Sequence, residues 1–165
     1  MFDVVIIGGG PAAMSAAIYA ARRQMKTLII AKDLGGQMMW SSLIENYPGF
    51  KSIAAMDLIE KFSEQVKELG VEIKIGEVKE IKKLADENFA VATASEKFSA
   101  KTVIVTIGAA HRKLNVPGEE KLGGHGVAYC ANCDGPLFRD KTVAVVGGGN
   151  SALDAAEVLS KIAAK

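Results

Sequence analysis

Residues 2–13 read FDVVIIGGGPAA, and residues 142–152 read TVAVVGGGNSA. Each opens on an apolar run, of Val and Ile in the first and of Val and Ala in the second, without the alternation of a half-exposed strand, the pattern of a strand covered on both faces. Three glycines follow in each, and then an Ala-rich stretch. In the first copy that stretch puts Met14, Ala17, Ile18 and Ala21 on one helical face. Residues 27–31 read as a second buried strand, which completes a βαβ unit of the length expected for a dinucleotide fold. The motif occurs twice, and the second copy is expected to stop within its first helix at Lys165.

Between the copies, residues 34–50 carry Gly, Asn and Pro at intervals and read as irregular. Leu58, Ile59, Phe62, Val66 and Leu69 recur at helical spacing, and Gly70 is placed to end that helix. Residues 71–75 read as a strand. Three short segments, 78–84, 89–93 and 97–99, suggest a small antiparallel meander laid over the main sheet. Residues 102–107 read as another buried strand. Residues 113–126 are polar and carry Pro117, Gly118, Gly123 and Gly124, which makes them the boundary between residues 1–112 and residues 113–165. The fold class expected is α/β: a Rossmann-like domain with a meander, then the beginning of a second Rossmann-like domain.

The two turns are Gly8-x-Gly10-x-x-Ala13 and Gly147-x-Gly149-x-x-Ala152. The first glycine permits the tight turn, the second lets the backbone approach a pyrophosphate, and the small third residue lets helix and strand pack closely. The positive end of the helix, with its free N–H groups, then faces the phosphates. Asp33 lies about twenty residues beyond Ala13, where an acid holding a ribose hydroxyl is expected. One such turn is a weak signal, whereas two in matching contexts imply two nucleotide cofactors, a flavin and a nicotinamide.

Composition narrows the class. The chain has 165 residues, 49% hydrophobic and 24% charged, so it can bury a core. A formal net charge of +1 gives no electrostatic case for nucleic acid. The apolar start is too short for a signal peptide, and no run approaches the ~18 apolar residues of a membrane span. The expectation is a soluble cytoplasmic protein without membrane partners.

Two cysteines are present, Cys130 and Cys133, in the order Cys130-Ala131-Asn132-Cys133-Asp134. A free thiol with a pKa of ~8.5 is a few per cent ionised at neutral pH, whereas a C-x-x-C thiol can reach ~7. Thiolate is the species that attacks disulfides. Asp134 beside the pair could carry the protons that the exchange releases and takes up. Half of a zinc site is the alternative. It lacks further ligands apart from His111, His125 and carboxylates, so redox chemistry is favoured and no metal is expected. Both histidines read as exposed loop residues, and Trp40 as a core, interface or flavin-bordering aromatic.

Gly8-Gly9-Gly10-Pro11-Ala12, Gly35-Gly36-Gln37, Glu45-Asn46-Tyr47-Pro48-Gly49 and Thr106-Ile107-Gly108-Ala109 resemble the flavin-side motifs of low-molecular-weight thioredoxin reductases. Cys130 to Gly135 resembles their active site, and Gly147-Gly148-Gly149-Asn150-Ser151-Ala152 their nicotinamide-side turn. Cys133 to Phe138 is also similar to the flavoprotein subunit of alkyl hydroperoxide reductase.

The resemblance implies a route from NADPH or NADH to FAD, from FAD to the cysteine pair, and on to a disulfide of a small redox protein. That partner would be thioredoxin, a glutaredoxin-like protein or a peroxiredoxin system. It implies that Gly8, Gly10, Ala13 and Asp33 line the adenosine and pyrophosphate of FAD. Gly36, Gln37 and Asn46 would lie nearer the flavin, with Gly108 and Ala109 also near the cofactor. Cys133 would sit against the flavin ring and Asp134 would act as acid and base. A homodimer and a hinge within residues 113–126 are further implications. The sequence departs from the family pattern at Ala13, where glycine is common, at Ile107, and in length, since family members continue for roughly as long again.

Overall fold

The computed structural model describes residues 1–165, which form two compact units: Met1–Met39 with Ala55–Ala110, and Trp40–Ala54 with His111–Lys165. The first unit is built on β1 (Phe2–Ile7), α1 (Pro11–Arg22) and β2 (Thr27–Ala31). Pro11 stands at the start of α1, where its missing N–H costs nothing, and Arg22 in the last turn suits the helix dipole. In the second unit, β3 (Leu43–Ile44) pairs antiparallel with β4 (Ile53–Ala54). Back in the first, α2 (Ala55–Glu68) is amphipathic and buries Leu58, Ile59 and Val66. Strands β5 (Glu72–Ile75), β6 (Glu80–Lys83), β7 (Phe89–Ala92) and β8 (Lys97–Val105) follow.

One six-stranded sheet has the order β5-β2-β1-β8-β7-β6. Its first four strands run parallel, and β8, β7 and β6 continue it antiparallel. Side-chain alternation divides the core of this unit. Val4 and Ile6 pack with Ala13, Met14, Ala17 and Val66 on the helical side. Val5 and Ile7 pack with Leu28, Ile30, Val91 and Ala100 on the other. The arrangement is the Rossmann-like α/β class expected. At β1 the chain leaves first for β2 and later for β8, so the strand order reverses there, and α/β sheets bind ligands at the carboxyl ends of such strands.

Three expectations about the first unit need correction. Residues 97–99 and 102–107 are not separate: β8 is a single nine-residue strand. The meander is therefore bonded into the main sheet through β8, while Val91 and Ala100 still help to cover its second face. The apolar run is also less buried than it suggests: Val105, which ends β8, is 57% exposed, and Ile107, beyond the strand, 71%.

The second unit also holds α3 (Ala131–Asp134), a 3-10 turn at Gly135–Phe138, and α4 (Asn150–Leu159). The expected strand at residues 142–146 is absent. A strand needs a neighbour, and only its start has one: Val143 N–H donates to the Lys165 carbonyl and Ala164 N–H to that of Lys141. Helix α4 ends at Leu159, so the chain runs past this helix rather than stopping inside it. No helix is long and apolar enough to cross a membrane.

Candidate active site

The first glycine turn lies where β1, β2 and β8 end. Gly8 N–H donates to the Ile30 carbonyl at 2.9 Å, and both Thr106 N–H and Thr106 Oγ1 donate to the Ile7 carbonyl at 2.8 Å. This knits three strand ends together and leaves no room for side chains. A Cβ on Gly8 would lie 2.3 Å from Thr106 O, and one on Gly9 2.1 Å from Asp33 O. The backbone of Gly8 is also left-handed, with φ 124°. Gly9, the variable position of the sequence pattern, is thus as tightly enclosed as Gly8. Sequence spacing gave no sign of this, because the clash comes from residues 24 positions away.

Gly10 differs. It caps α1 in extended backbone, no side chain caps the helix, and a Cβ there would meet nothing within 4 Å. An uncapped helix N-terminus facing open space is a place for an anion. Pro11 and Ala12 are exposed at its edge, whereas Ala13 is fully buried against Val4 and Ile6. The position therefore needs a small residue for packing, and alanine meets that need.

Gly35 N–H donates to the Gly9 carbonyl at 2.8 Å, bringing Gly35, Gly36 and Gln37 to the turn. A Cβ on Gly36 would sit 3.8 Å from the Gly10 Cα. The Gln37 side-chain amide donates to the Ala109 carbonyl, which ties Gln37 to Gly108 and Ala109 after β8. Asp33 is exposed just beyond β2. The structure thus gathers Gly8, Gly10, Pro11, Ala12, Ala13, Asp33, Gly35, Gly36, Gln37, Gly108 and Ala109 beyond the carboxyl ends of β1, β2 and β8. Asn46, exposed after β3, belongs to the second unit.

In that second unit Cys130 and Cys133 are joined as a disulfide, with Cα atoms 5.3 Å apart. Cys130 caps α3, and its Sγ accepts the Cys133 N–H at 3.1 Å. Cys130 is half-buried and Cys133 exposed. Asp134 follows, half-buried; burial pushes its carboxyl above the ordinary range, against the opposing effect of the Ser41 hydroxyl, which donates to Oδ1 at 3.4 Å. Gly147, Gly149, Asn150 and Ser151 are exposed, and Ala152 is half-buried. Gly149 caps α4 much as Gly10 caps α1, again with no side-chain cap and nothing within 4 Å of a Cβ.

Sequence spacing did not find Ser41, Glu119 or Tyr129. His111 is exposed as expected, but its ring stacks on Tyr129 with centroids 5.2 Å apart. Trp40 meets both rings edge-on. No group of three or more His, Cys, Asp and Glu side chains is placed to share a metal ion.

The pyridine nucleotide-disulphide oxidoreductase family matches residues 2–165. The chain is 44% identical to a thioredoxin reductase of Bacillus subtilis over its whole length, covering 52% of that protein. It superposes on the thioredoxin reductase structure from Streptococcus pyogenes with a TM-score of 0.93 and 45% identity, covering 100% of this chain and 54% of the other. For the Giardia duodenalis thioredoxin reductase the TM-score is 0.92 and the identity 34%, over 99% of this chain and 54% of that one. The chain therefore spans about half the length of the relatives it matches, and the likeness read from its motifs extends over all of it.

Proposed function

The chain belongs to the pyridine nucleotide-disulphide oxidoreductase family, and on that premise we propose that it works in a flavoprotein disulfide reductase like the thioredoxin reductases. The observation that carries this reading is the Cys130–Cys133 disulfide, with the Cys133 N–H directed at Cys130 Sγ and Asp134 alongside.

Residues 1–112 would serve FAD and residues 113–165 would begin the NADPH or NADH domain. Gly8, Gly10, Pro11, Ala12, Ala13 and Asp33 would hold the adenosine and pyrophosphate part of FAD. Gly35, Gly36, Gln37, Asn46, Gly108 and Ala109 would lie toward its flavin. Gly147, Gly149, Asn150, Ser151 and Ala152 would receive the nicotinamide nucleotide. The open space before Gly10 and the uncapped start of α1 support that placement. When bound, the flavin supplies a two-electron link between a hydride donor and a disulfide.

The residues of the chain supply the rest. Two electrons and two protons convert the disulfide into two thiols. The N–H bonded to Cys130 Sγ favours negative charge on that sulfur when the S–S bond opens. The Cys130 thiolate would then attack a partner disulfide, and Cys133 would resolve the mixed disulfide and restore the Cys130–Cys133 bond. Asp134, its carboxyl raised by burial, would hand a proton to the departing thiolate. The partner would be a small redox protein: thioredoxin, a glutaredoxin-like protein or a peroxiredoxin system. A cytoplasmic homodimer completes the reading.

The test is Cys133→Ser in the longest natural form of the protein, supplied with FAD, NADPH or NADH and a disulfide reporter. Reporter turnover should fall at least about a hundredfold, while flavin reduction by the nicotinamide persists. Unchanged turnover would refute the assignment.

A further inference from the structure

Glu119 is 4% exposed, the one charged residue among those the fold buries. A carboxylate in such a place needs several donors. Its Oε1 accepts the Leu114 N–H at 2.9 Å and the Tyr129 hydroxyl at 2.5 Å, and its Oε2 accepts the Asn115 N–H at 2.7 Å. The Tyr129 bond first, then these backbone bonds, hold the carboxyl below its usual range. Asn115 is in left-handed backbone, φ 58°, a conformation that asparagine tolerates better than most residues.

Residues 114 and 129 are therefore brought to one side chain, and the segment between them is a closed loop rather than a free linker. Leu122 N–H donates to the Gly118 carbonyl, Val127 N–H to that of Leu122, and Gly124 N–H to that of Val127, each at 2.9 Å. The far anchor, Tyr129, immediately precedes Cys130. Its ring is held by the His111 stack and its hydroxyl by Glu119.

We propose that Glu119 is a positioning residue for the cysteine pair, fixing through the Tyr129 hydroxyl the backbone from which Cys130 Sγ reaches Cys133. The proposal rests on the reading of the pair as a redox centre. When the pair is a dithiol, a loose backbone before Cys130 would add conformations in which the sulfurs cannot meet. Holding that backbone removes them and favours ring closure. Releasing it shifts thiol–disulfide exchange toward the dithiol.

The 165-residue chain is equilibrated with mixtures of reduced and oxidised dithiothreitol, quenched by alkylation and weighed. In this exchange the dithiothreitol thiols are oxidised to their cyclic disulfide as Cys130–Cys133 is reduced to two thiols, with two electrons and two protons transferred. No flavin or nicotinamide enters. A wild-type pair that cannot be cycled at all would refute the redox reading itself, whatever Glu119 does.

Tyr129→Phe keeps the ring and its stack and deletes the hydroxyl. It should move the exchange constant about tenfold toward the dithiol, about 30 mV for a two-electron couple. Glu119→Gln should move it the same way; if that variant does not fold, Tyr129→Phe decides. Lys113→Ala removes an exposed ion pair with Glu120 on the same loop and should leave the constant within about twofold. A folded Tyr129→Phe within about twofold of wild type overturns the proposal, and so does a Lys113→Ala shift as large as that of Tyr129→Phe.

Discussion

The Cα of Gly9 faces the backbone carbonyl of Asp33 so closely that a Cβ on Gly9 would lie 2.1 Å from that oxygen, while a Cβ on Gly10 would touch nothing within 4 Å. Adjacent glycines thus meet different demands, one from the fold and one from a ligand. Gly9→Ala must push the turn away from the end of β2 and should cost about 1–3 kcal/mol in urea unfolding. Gly10→Val should cost no more than about 1 kcal/mol at a helix cap yet prevent retention of FAD through gel filtration. Wild-type stability in Gly9→Ala would contradict the close approach, and normal flavin content in Gly10→Val would contradict the cofactor placement.

The sequence made most of the first unit legible because its signals are local. The apolar run of residues 2–7, the glycines after it and the spacing of Leu58 to Val66 each describe their own element. What was hidden depends on contact at a distance. The constraint on Gly9 comes from Asp33, the anchoring of Tyr129 from Glu119, and the hydrogen bond on Asp134 from Ser41. Residues 142–146 misled for a related reason: apolar β-branched composition records a preference for a strand, but only a neighbouring strand satisfies its backbone. The meander is legible but its attachment is not, since Lys97, Ser99 and Lys101 interrupt the apolar pattern of residues 97–105 and nothing marks them as one strand.

The hydroxyl of Ser63, on the buried face of α2, has no hydrogen-bond partner. An unpaired buried hydroxyl costs stability and alanine removes it with little loss of volume. Ser63→Ala should therefore raise the unfolding free energy by about 1 kcal/mol and move the urea midpoint upward without a change in slope. A lower midpoint would mean that the hydroxyl is bonded after all.

Burial raises the Asp134 carboxyl above the value of ~3.9 that it has in the unfolded chain. The unfolded form then ionises more readily, so the stability present below ~3.9 is lost as pH rises through the folded value. Asp134→Asn cannot ionise. Thermal melts should show it equal to wild type near about pH 3 and more stable at neutral pH. Disulfide exchange should meanwhile slow by about a hundredfold through loss of the proton donor. Lower stability of Asp134→Asn at neutral pH would show that the Ser41 bond outweighs burial.

Gln37 holds the turn after β2 to the segment after β8 through one bond, from its side-chain amide to the carbonyl of Ala109. A carboxylate at that position has nothing to donate and would repel the carbonyl oxygen, so Gln37→Glu should open the edge where the flavin is proposed to lie. The side chain is exposed, and the fold should lose less than about 1 kcal/mol. The FAD dissociation constant should rise about tenfold, about 1.4 kcal/mol, in a fluorescence titration. Each combination of results bears on the tie. Weaker FAD binding with stability retained places its effect in the cradle, and lost stability with FAD binding retained places it in the fold. A variant unchanged in both would show that the bond constrains neither, and that Gly108 and Ala109 are held by β8 alone.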